Sequence, residues 1–269
     1  MAAHLRPAFR RIIVTALFIA AAYGLLAYIV LPAAWTHYEH QRGLAGRPMV
    51  TQTAQGIPGD ALNVGLVGSR EGVIRAMHAA GWYPADPITL KSSIEIVGSV
   101  LFDRAYKTAP VSPLYYDKRK EDFAFEKPSG TSADRRHHVR FWRVLDKGEE
   151  GRPVWLGAAT FDRGVGLSHY TGQVTHHIAP DIDAERDLVI ADLTKAGMVT
   201  AIYQVTGVGP TLTGRNGEGD FYYTDGEIGI ARLVVDGQRA EAPPVVLDSP
   251  ALVQWKDALW RGVNSAVAP

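Results

Sequence analysis

Five of the nine histidines lie between His137 and His177. Two adjacent pairs stand out: His137-His138 inside Arg135-Arg136-His137-His138-Val139-Arg140, and His176-His177 just ahead of Asp181-Ile182-Asp183, with His169 between them. Neutral imidazole together with carboxylate is the donor set that zinc and other divalent ions accept, and Asp162, Asp181 and Asp183 are nearby oxygen donors. Strand geometry restricts the choice, because successive side chains point to opposite faces. His137 then travels with Val139 and Phe141, and His176 with Val174 and Ile178, toward a core. His138 with Arg140, and His177 with Thr175, make the polar faces. Three readings stay open. In the first, the inner histidines are hydrogen-bonded core groups and the outer ones are solvated. In the second, His138, His177 and Asp181, with Asp162 or Asp183, hold a divalent metal such as zinc or manganese. In the third, His138, Arg140 and His177 form a phosphate or other anion site, since the forked guanidinium matches phosphate oxygens.

Other motifs carry less. Gly65, Gly68 and Gly72 straddle a strand-to-helix turn but do not have the G-x-G-x-x-G spacing. The run Gly209-Pro210-Thr211-Leu212-Thr213-Gly214-Arg215 has the glycine spacing of a P-loop without its Lys and Ser or Thr, so nucleotide binding is not expected there. Residues 214–219 read as an exposed hairpin tip. The chain has no G-x-S-x-G elbow, and the adjacent Ser168 and His169 diverge. Pro128-Ser129-Gly130 starts like the Pro-Ser-Gly-His element of membrane phosphatidic-acid phosphatases, but Thr131 stands where the histidine is needed. No catalytic residue is assigned.

The elements that must position these groups follow from periodicity and capping. Residues 62–67 form a short apolar strand ended by Gly68. Ser69 then caps a helix with Val73, Ile74, Met77 and Ala80 on one stripe and Gly81 after it. Residues 88–102 continue a mixed helical pattern, stopped by Pro110 and Pro113. Strands are expected at 114–117, 122–126, 137–145, 153–161 and 174–178, where Val, Phe, Tyr and Trp alternate between Gly, Pro and Asp. Asp183 is read as the cap of a second helix with Ile182, Val189, Leu193 and Ala196 on one face. Strands at 199–205, 220–224 and 227–235 follow, the last two joined across Asp225-Gly226 as a hairpin. Ser249 and Pro250 open a terminal helix whose Leu252, Trp255, Leu259 and Val263 should pack on the domain. The two strand-helix-glycine units echo each other, as a duplicated half-domain or by chance. The fold expected is α+β, mainly an antiparallel sheet with two strand-helix units packed on it, preceded by one transmembrane helix.

Residues 12–31 are twenty residues without a charge, long enough at 1.5 Å per residue to cross about 30 Å of hydrocarbon. Arg6, Arg10 and Arg11 flank one end, and Trp35 and Tyr38 stand where interfacial aromatics belong. The apolar run exceeds the roughly 7–15 residues of a cleaved signal peptide. This predicts a single-pass anchor in the cytoplasmic membrane with the soluble part extracytoplasmic, although Arg42 and Arg47 on the far side narrow the charge bias. The chain then divides into an anchor at 1–35, a linker at 36–60, whose residues 43–59 are rich in Gly and Pro and read as a tether, and a domain at 61–269.

Composition narrows the partners. Of 269 residues, 46% are apolar and 21% charged, which fits a folded domain rather than a disordered tail. The chain is formally neutral, but three arginines precede residue 32 without an acid. The remaining 25 bases face 28 acids, a net of about −3. Nucleic acid is therefore not an expected partner. Cysteine is absent, so disulfides, thiolate catalysis and cysteine metal sites are excluded within this chain.

Residues 63–197 resemble the LssY C-terminal domain family. The resemblance is carried by Leu66-Val67-Gly68-Ser69, Ala80-Gly81-Trp82 with Ala85-Asp86-Pro87, and Ala109-Pro110-Val111-Ser112-Pro113-Leu114-Tyr115. It continues through His137-His138-Val139-Arg140-Phe141-Trp142, the block from Trp155-Leu156-Gly157 to Asp162-Arg163-Gly164, and His176-His177-Ile178 with Asp181-Ile182-Asp183-Ala184-Glu185-Arg186-Asp187. The family takes its name from a type I secretion component. In longer relatives such a domain follows membrane segments of the DedA or phosphatidic-acid-phosphatase kind, which implies a link to envelope lipid or lipid-phosphate metabolism. A single anchor stands in their place here, so no phosphatase activity carries over. The expected function is a membrane-tethered accessory or binding domain that recognises an envelope protein or lipid-phosphate partner. The alternative is a metal-dependent hydrolase acting on phosphoesters, with His138, His177 and Asp181 as ligands and Asp162 or Asp183 as base.

Overall fold

A computed structural model describes residues 7–87, 89–91, 94, 113–130, 135–172, 174–235 and 238–267; most of the helical pattern expected at 88–102 lies outside them. The chain opens with α1 (Pro7–Leu25), a π-helical turn (Leu26–Val30) and α2 (Leu31–Trp35). Together they make one apolar helix of 29 residues, long and apolar enough to cross a membrane.

Two short strands, β1 (Val50–Gln52) and β2 (Pro58–Ala61), pair antiparallel, and β1 pairs with β5 (Tyr115–Tyr116), which pairs with β6 (Arg119–Lys120). The main sheet holds β3 (Val64–Val67), β4 (Tyr83–Pro84), β7 (Phe123–Pro128), β8 (Arg136–Leu145), β9 (Val154–Leu167), β10 (Val174–Ile178), β11 (Val199–Thr206), β14 (Glu227–Leu233) and β15 (Val245–Val246). Its order is β15-β11-β14-β3-β9-β8-β7-β4, with β10 on the far half of β9. The β14–β3 and β11–β15 pairs are parallel and the rest antiparallel. A separate hairpin joins β12 (Thr213–Arg215) to β13 (Phe221–Tyr223).

The helices α3 (Arg70–Ala79) and α4 (Ile182–Lys195) pack on each other and on the sheet. Their stripes are those the periodicity predicts: Val73, Ile74 and Met77 from α3, and Val189 and Leu193 from α4, meet Val139, Phe141, Phe123 and Trp155 in one core. Burial of each such side chain contributes about 1.5–3 kcal/mol. Both helices stop alike. Gly81 and Gly197 take positive φ, and the next N–H, of Trp82 or Met198, returns to the carbonyl of Met77 or Leu193 at 2.9 Å. Ser69 caps α3, accepting the Gly72 N–H at 2.8 Å. The cap of α4 is Asp181 rather than Asp183: its carboxylate accepts the Ala184 N–H at 3.1 Å, which leaves Asp183 in the first turn.

Three further expectations are corrected. Residues 43–59, read as a tether, carry β1 and the start of β2, with Leu44 and Thr51 fully buried. The strand at Phe221–Tyr223 pairs with β12 and not across Asp225-Gly226 with β14, because β14 is already taken on both edges by β11 and β3. The loop at 214–219 is a hairpin turn but not an exposed one: Asn216 and Asp220 are buried.

A second core fills the opposite face of the sheet, where Trp142, Val144, Leu156, Tyr203 and Ile230 meet Leu44, Leu62 and Tyr116. Asn63 clamps the layers at the centre. Its Nδ2 donates to the carbonyls of Ala159 (3.0 Å) and Ile182 (2.7 Å), and its Oδ1 accepts the Ala159 N–H at 2.9 Å.

Candidate functional site

Alternation along β8 sorts its side chains as the sequence predicts. Val139 and Phe141 enter the helix-covered core, while Arg136, His138 and Arg140 share the other face. The register sets Glu126 and Thr160 opposite His138, and Asp162 opposite Arg136. This polar face is buried, not solvated. Arg136 bridges Glu126 (Nη1 to Oε2, 2.8 Å) and Asp162 (Nε to Oδ2, 3.0 Å), and Arg140 reaches Asp60 on β2 at 3.4 Å.

Burial sets the protonation of this face. It pushes the carboxyls of Glu126 and Asp60 up, against the pull of Arg136 and Arg140. It drives His138 well below its usual range, and Arg140 and Arg136 add to that, so the ring is neutral. Among the described residues the His138 Nε2 has no hydrogen-bond partner. Asp60, Glu126, Asp162 and Asp220 are all buried, against two buried guanidiniums among the described residues of this face. Carboxyls outnumber guanidiniums, so this face offers more oxygen donors for a cation than free donors for an anion, and Arg140 already has a carboxylate.

At the edge of this face three donors converge. His177 lies on β10 opposite Gly164, next to a register shift, and points to Asp220 from the β12–β13 turn. Its Nδ1 is 2.6 Å from Asp220 Oδ1, and His169 Nε2, from the β9–β10 turn, is 3.6 Å from the same oxygen. The two imidazole rings are 5.3 Å apart, and one donor atom from each of the three residues lies within 4.8 Å of the others. The 3.6 Å separation is about a ligand edge of a small divalent ion, whereas the 2.6 Å His177–Asp220 contact is a hydrogen bond, shorter than such an edge, which an ion held by the two imidazoles and the carboxylate would open. Asp220 is 1% exposed at its side chain and His169 60% exposed, so the group is closed on one side and open on the other.

The surrounding backbone is built to hold it. Asp220 Oδ2 accepts the Ile178 N–H at 3.0 Å, which fixes the carboxylate. Asn216 Oδ1 accepts the N–H groups of Glu218 and Asp220, at 3.0 and 2.8 Å, tying the turn that carries it. Two glycines give the rings room. A Cβ on Gly166 would overlap His177 Nε2, so that nitrogen is stacked on backbone and Nδ1 is the one that faces the group. A Cβ on Gly219, at φ +88°, would lie 2.7 Å from His169 Cβ.

The other candidates are placed elsewhere. Asp162 is the partner of Arg136, and Asp181 is a helix cap. Asp183 accepts Thr224 Oγ1–H at 2.8 Å and the Asp225 N–H at 2.6 Å beside Arg186; burial, with Asp225 adding, raises its pKa to about 7. Of the expected ligands the structure brings His177 to this group, and supplies His169 and Asp220 in place of His138 and the nearer aspartates. The sequence signal for Asp220 is slight: a carboxylate closing the turn Asn216-Gly217-Glu218-Gly219.

The family model described as the LssY C-terminus matches residues 44–228, and the chain belongs to that family. No curated protein and no solved structure matches it.

Proposed function

We propose that this member of the LssY C-terminal family is a membrane-anchored, extracytoplasmic binding domain whose ligand site is a divalent metal centre formed by His169, His177 and Asp220. The observation that carries the reading is the convergence of these donors on a buried, carboxylate-rich face. The apolar helix of 29 residues supports the anchor. Its arginine-bearing start, with Arg10 and Arg11, supports an inside start and an outside domain. The ligand class that suits such a site is a phosphate-bearing envelope component, in keeping with the lipid-phosphate and secretion contexts of the family.

The test is the metal content of the full chain, purified in detergent without chelators or a histidine tag. Near-stoichiometric zinc or manganese that is lost in His177→Ala and Asp220→Asn supports the centre. A folded, metal-free chain that takes up neither ion on titration rejects it.

A second reading, a metal-dependent phosphoester hydrolase, is favoured by the exposure of His169. An ion bound there would keep an outward coordination position open, and would supply a Lewis acid and an activated water. Metal-dependent turnover of phosphoesters, lost in Asp220→Asn, would select it.

A further inference from the structure

The last helix, α5 (Ala251–Val267), is inside out. Leu252, Trp255, Leu259 and Val263 recur on one helix face, a pattern that normally marks the side turned to a core. Here they are 39, 52, 48 and 38% exposed, and Ala258 and Gly262 are exposed with them. The inward side instead buries Val253, Lys256 and Asp257. The Lys256 ammonium pairs with Glu227 and, at 2.6 Å, with Asp257; Asp257 also accepts from Gln204 Nε2 at 2.5 Å. A helix that buries an ammonium and turns its apolar stripe outward is arranged for an outside that is not water.

The helix sits where such an outside is at hand. α5 packs against α2, where Ala34 is fully buried and the rings of Trp35 and Trp260 meet edge to face at 5.1 Å. Just beyond, the His37 N–H donates to Thr206 Oγ1 at 2.7 Å, and the Thr206 N–H returns to the His37 carbonyl at 2.9 Å. The membrane helix thus enters the domain through a fixed joint. Counting about 20 residues for about 30 Å from Ile12 puts the edge of the hydrocarbon near Leu31. α5 therefore lies within about a turn of that edge. Among its described exposed residues the only charge is Arg261, the sign that anionic headgroups attract.

We infer that α5 is an interfacial helix whose Leu252, Trp255, Leu259 and Val263 face lies in the headgroup-to-acyl boundary of the bilayer crossed by α1. Tryptophan is the residue that favours this depth, and interfacial helices seat their apolar face about 5–10 Å into the boundary. The domain is then held to the membrane at two places and lies against it in one orientation, instead of swinging from its anchor. The inference rests on the anchor reading and goes beyond it.

The chain has no cysteine, so single cysteines can be placed without background. Full-length protein carrying an NBD label at Leu259→Cys or Val263→Cys is reconstituted in vesicles of phosphatidylcholine and phosphatidylglycerol. Gln55→Cys, exposed in the β1–β2 turn, and Tyr28→Cys, exposed on the membrane helix, serve as references. The expected result is blue-shifted emission at 259 and 263 that lipids spin-labelled near the headgroup quench and aqueous iodide does not, with the reverse at 55. Quenching by iodide at 259 and 263, as at 55, overturns the inference. Protection from both quenchers also overturns it, and identifies a protein surface such as a second copy as the cover. Failure of lipid quenching at 28 would instead remove the anchor reading beneath it.

Discussion

His177 Nδ1 and Asp220 Oδ1 are 2.6 Å apart although the residues are 43 positions apart in sequence, and this contact ties the β9–β10 ribbon to the β12–β13 hairpin. It places an imidazole on a carboxylate whose other oxygen is held by the Ile178 N–H. A carboxylate oriented in this way, with a second imidazole beside it, has the second-shell support that metal sites require.

The backbone beneath His177 offers a test that substitutes none of the three donor residues. Gly166→Ala puts a methyl against His177 Nε2 and forces the ring off its position. Divalent-ion affinity measured by titration calorimetry should fall by at least the roughly 10–100-fold that loss of an outer-shell partner costs. Gly164→Ala meets nothing within 4 Å and should leave affinity unchanged.

Asn63 should be among the costliest small substitutions in the domain. Asn63→Ala leaves the Ala159 N–H and the Ile182 carbonyl without their side-chain partner in a buried centre. Each unsatisfied buried group costs about 1–3 kcal/mol, so a loss on the order of 3 kcal/mol is expected in denaturant unfolding. A loss below about 1 kcal/mol would show that the clamp does not hold the layers together.

The joint between the N-terminal apolar helix and the domain is testable by a double-mutant cycle. Trp35→Phe and Trp260→Phe, singly and together, should reveal a coupling of about 0.5–1.5 kcal/mol, as for other edge-to-face aromatic pairs. Additive effects would mean that the helix end is not seated on α5.

Stability should decline from neutral to alkaline pH for a stated reason. Burial, with Asp257 and Asp225 adding, raises the Glu227 carboxyl to about 8 despite Lys256, and Asp183 is raised to about 7. The folded chain therefore keeps protons that the unfolded carboxyls release near their ordinary values of 4.5 and 3.8. Whenever the folded state binds more protons, stability falls as pH rises; here the contribution is present below the ordinary values and is lost as pH climbs through the folded ones. Between pH 6.5 and 8.5 the urea midpoint should drop, and Glu227→Gln should flatten that slope. An unchanged slope in the variant would place the titration elsewhere. Below pH 6.5 His138 acts in the opposite sense, because its folded pKa is lowered and protonation of the unfolded ring draws the chain open.

Periodicity revealed one part of this architecture and missed another. The Ser69 cap of α3, the stripes and glycine stops of α3 and α4, and the separation of His138 and Arg140 from Val139 and Phe141 follow from spacings of a few residues, where side-chain direction is a local property, while the α4 cap falls two residues before the expected Asp183. That the polar face of β8 is buried did not follow. Its cover comes from residues 50–61 and 213–223, whose glycines and short strands leave no periodic trace. The pairing of His177 with Asp220 is a long-range contact between a strand and a turn, for the same reason unreadable from spacing. In α5 the stripe of Leu252, Trp255, Leu259 and Val263 was plain, but periodicity tells that a face is apolar and not whether protein or lipid covers it.

The most direct test of the metal centre is the zinc K-edge absorption spectrum of the full chain loaded with one equivalent of zinc. A first shell with two imidazoles, showing nitrogen at about 2.0–2.1 Å and the outer-ring scattering of histidine, together with carboxylate or water oxygen, is the predicted result, reduced to one imidazole in His177→Ala. An all-oxygen shell, or one unchanged by that substitution, would contradict the assignment.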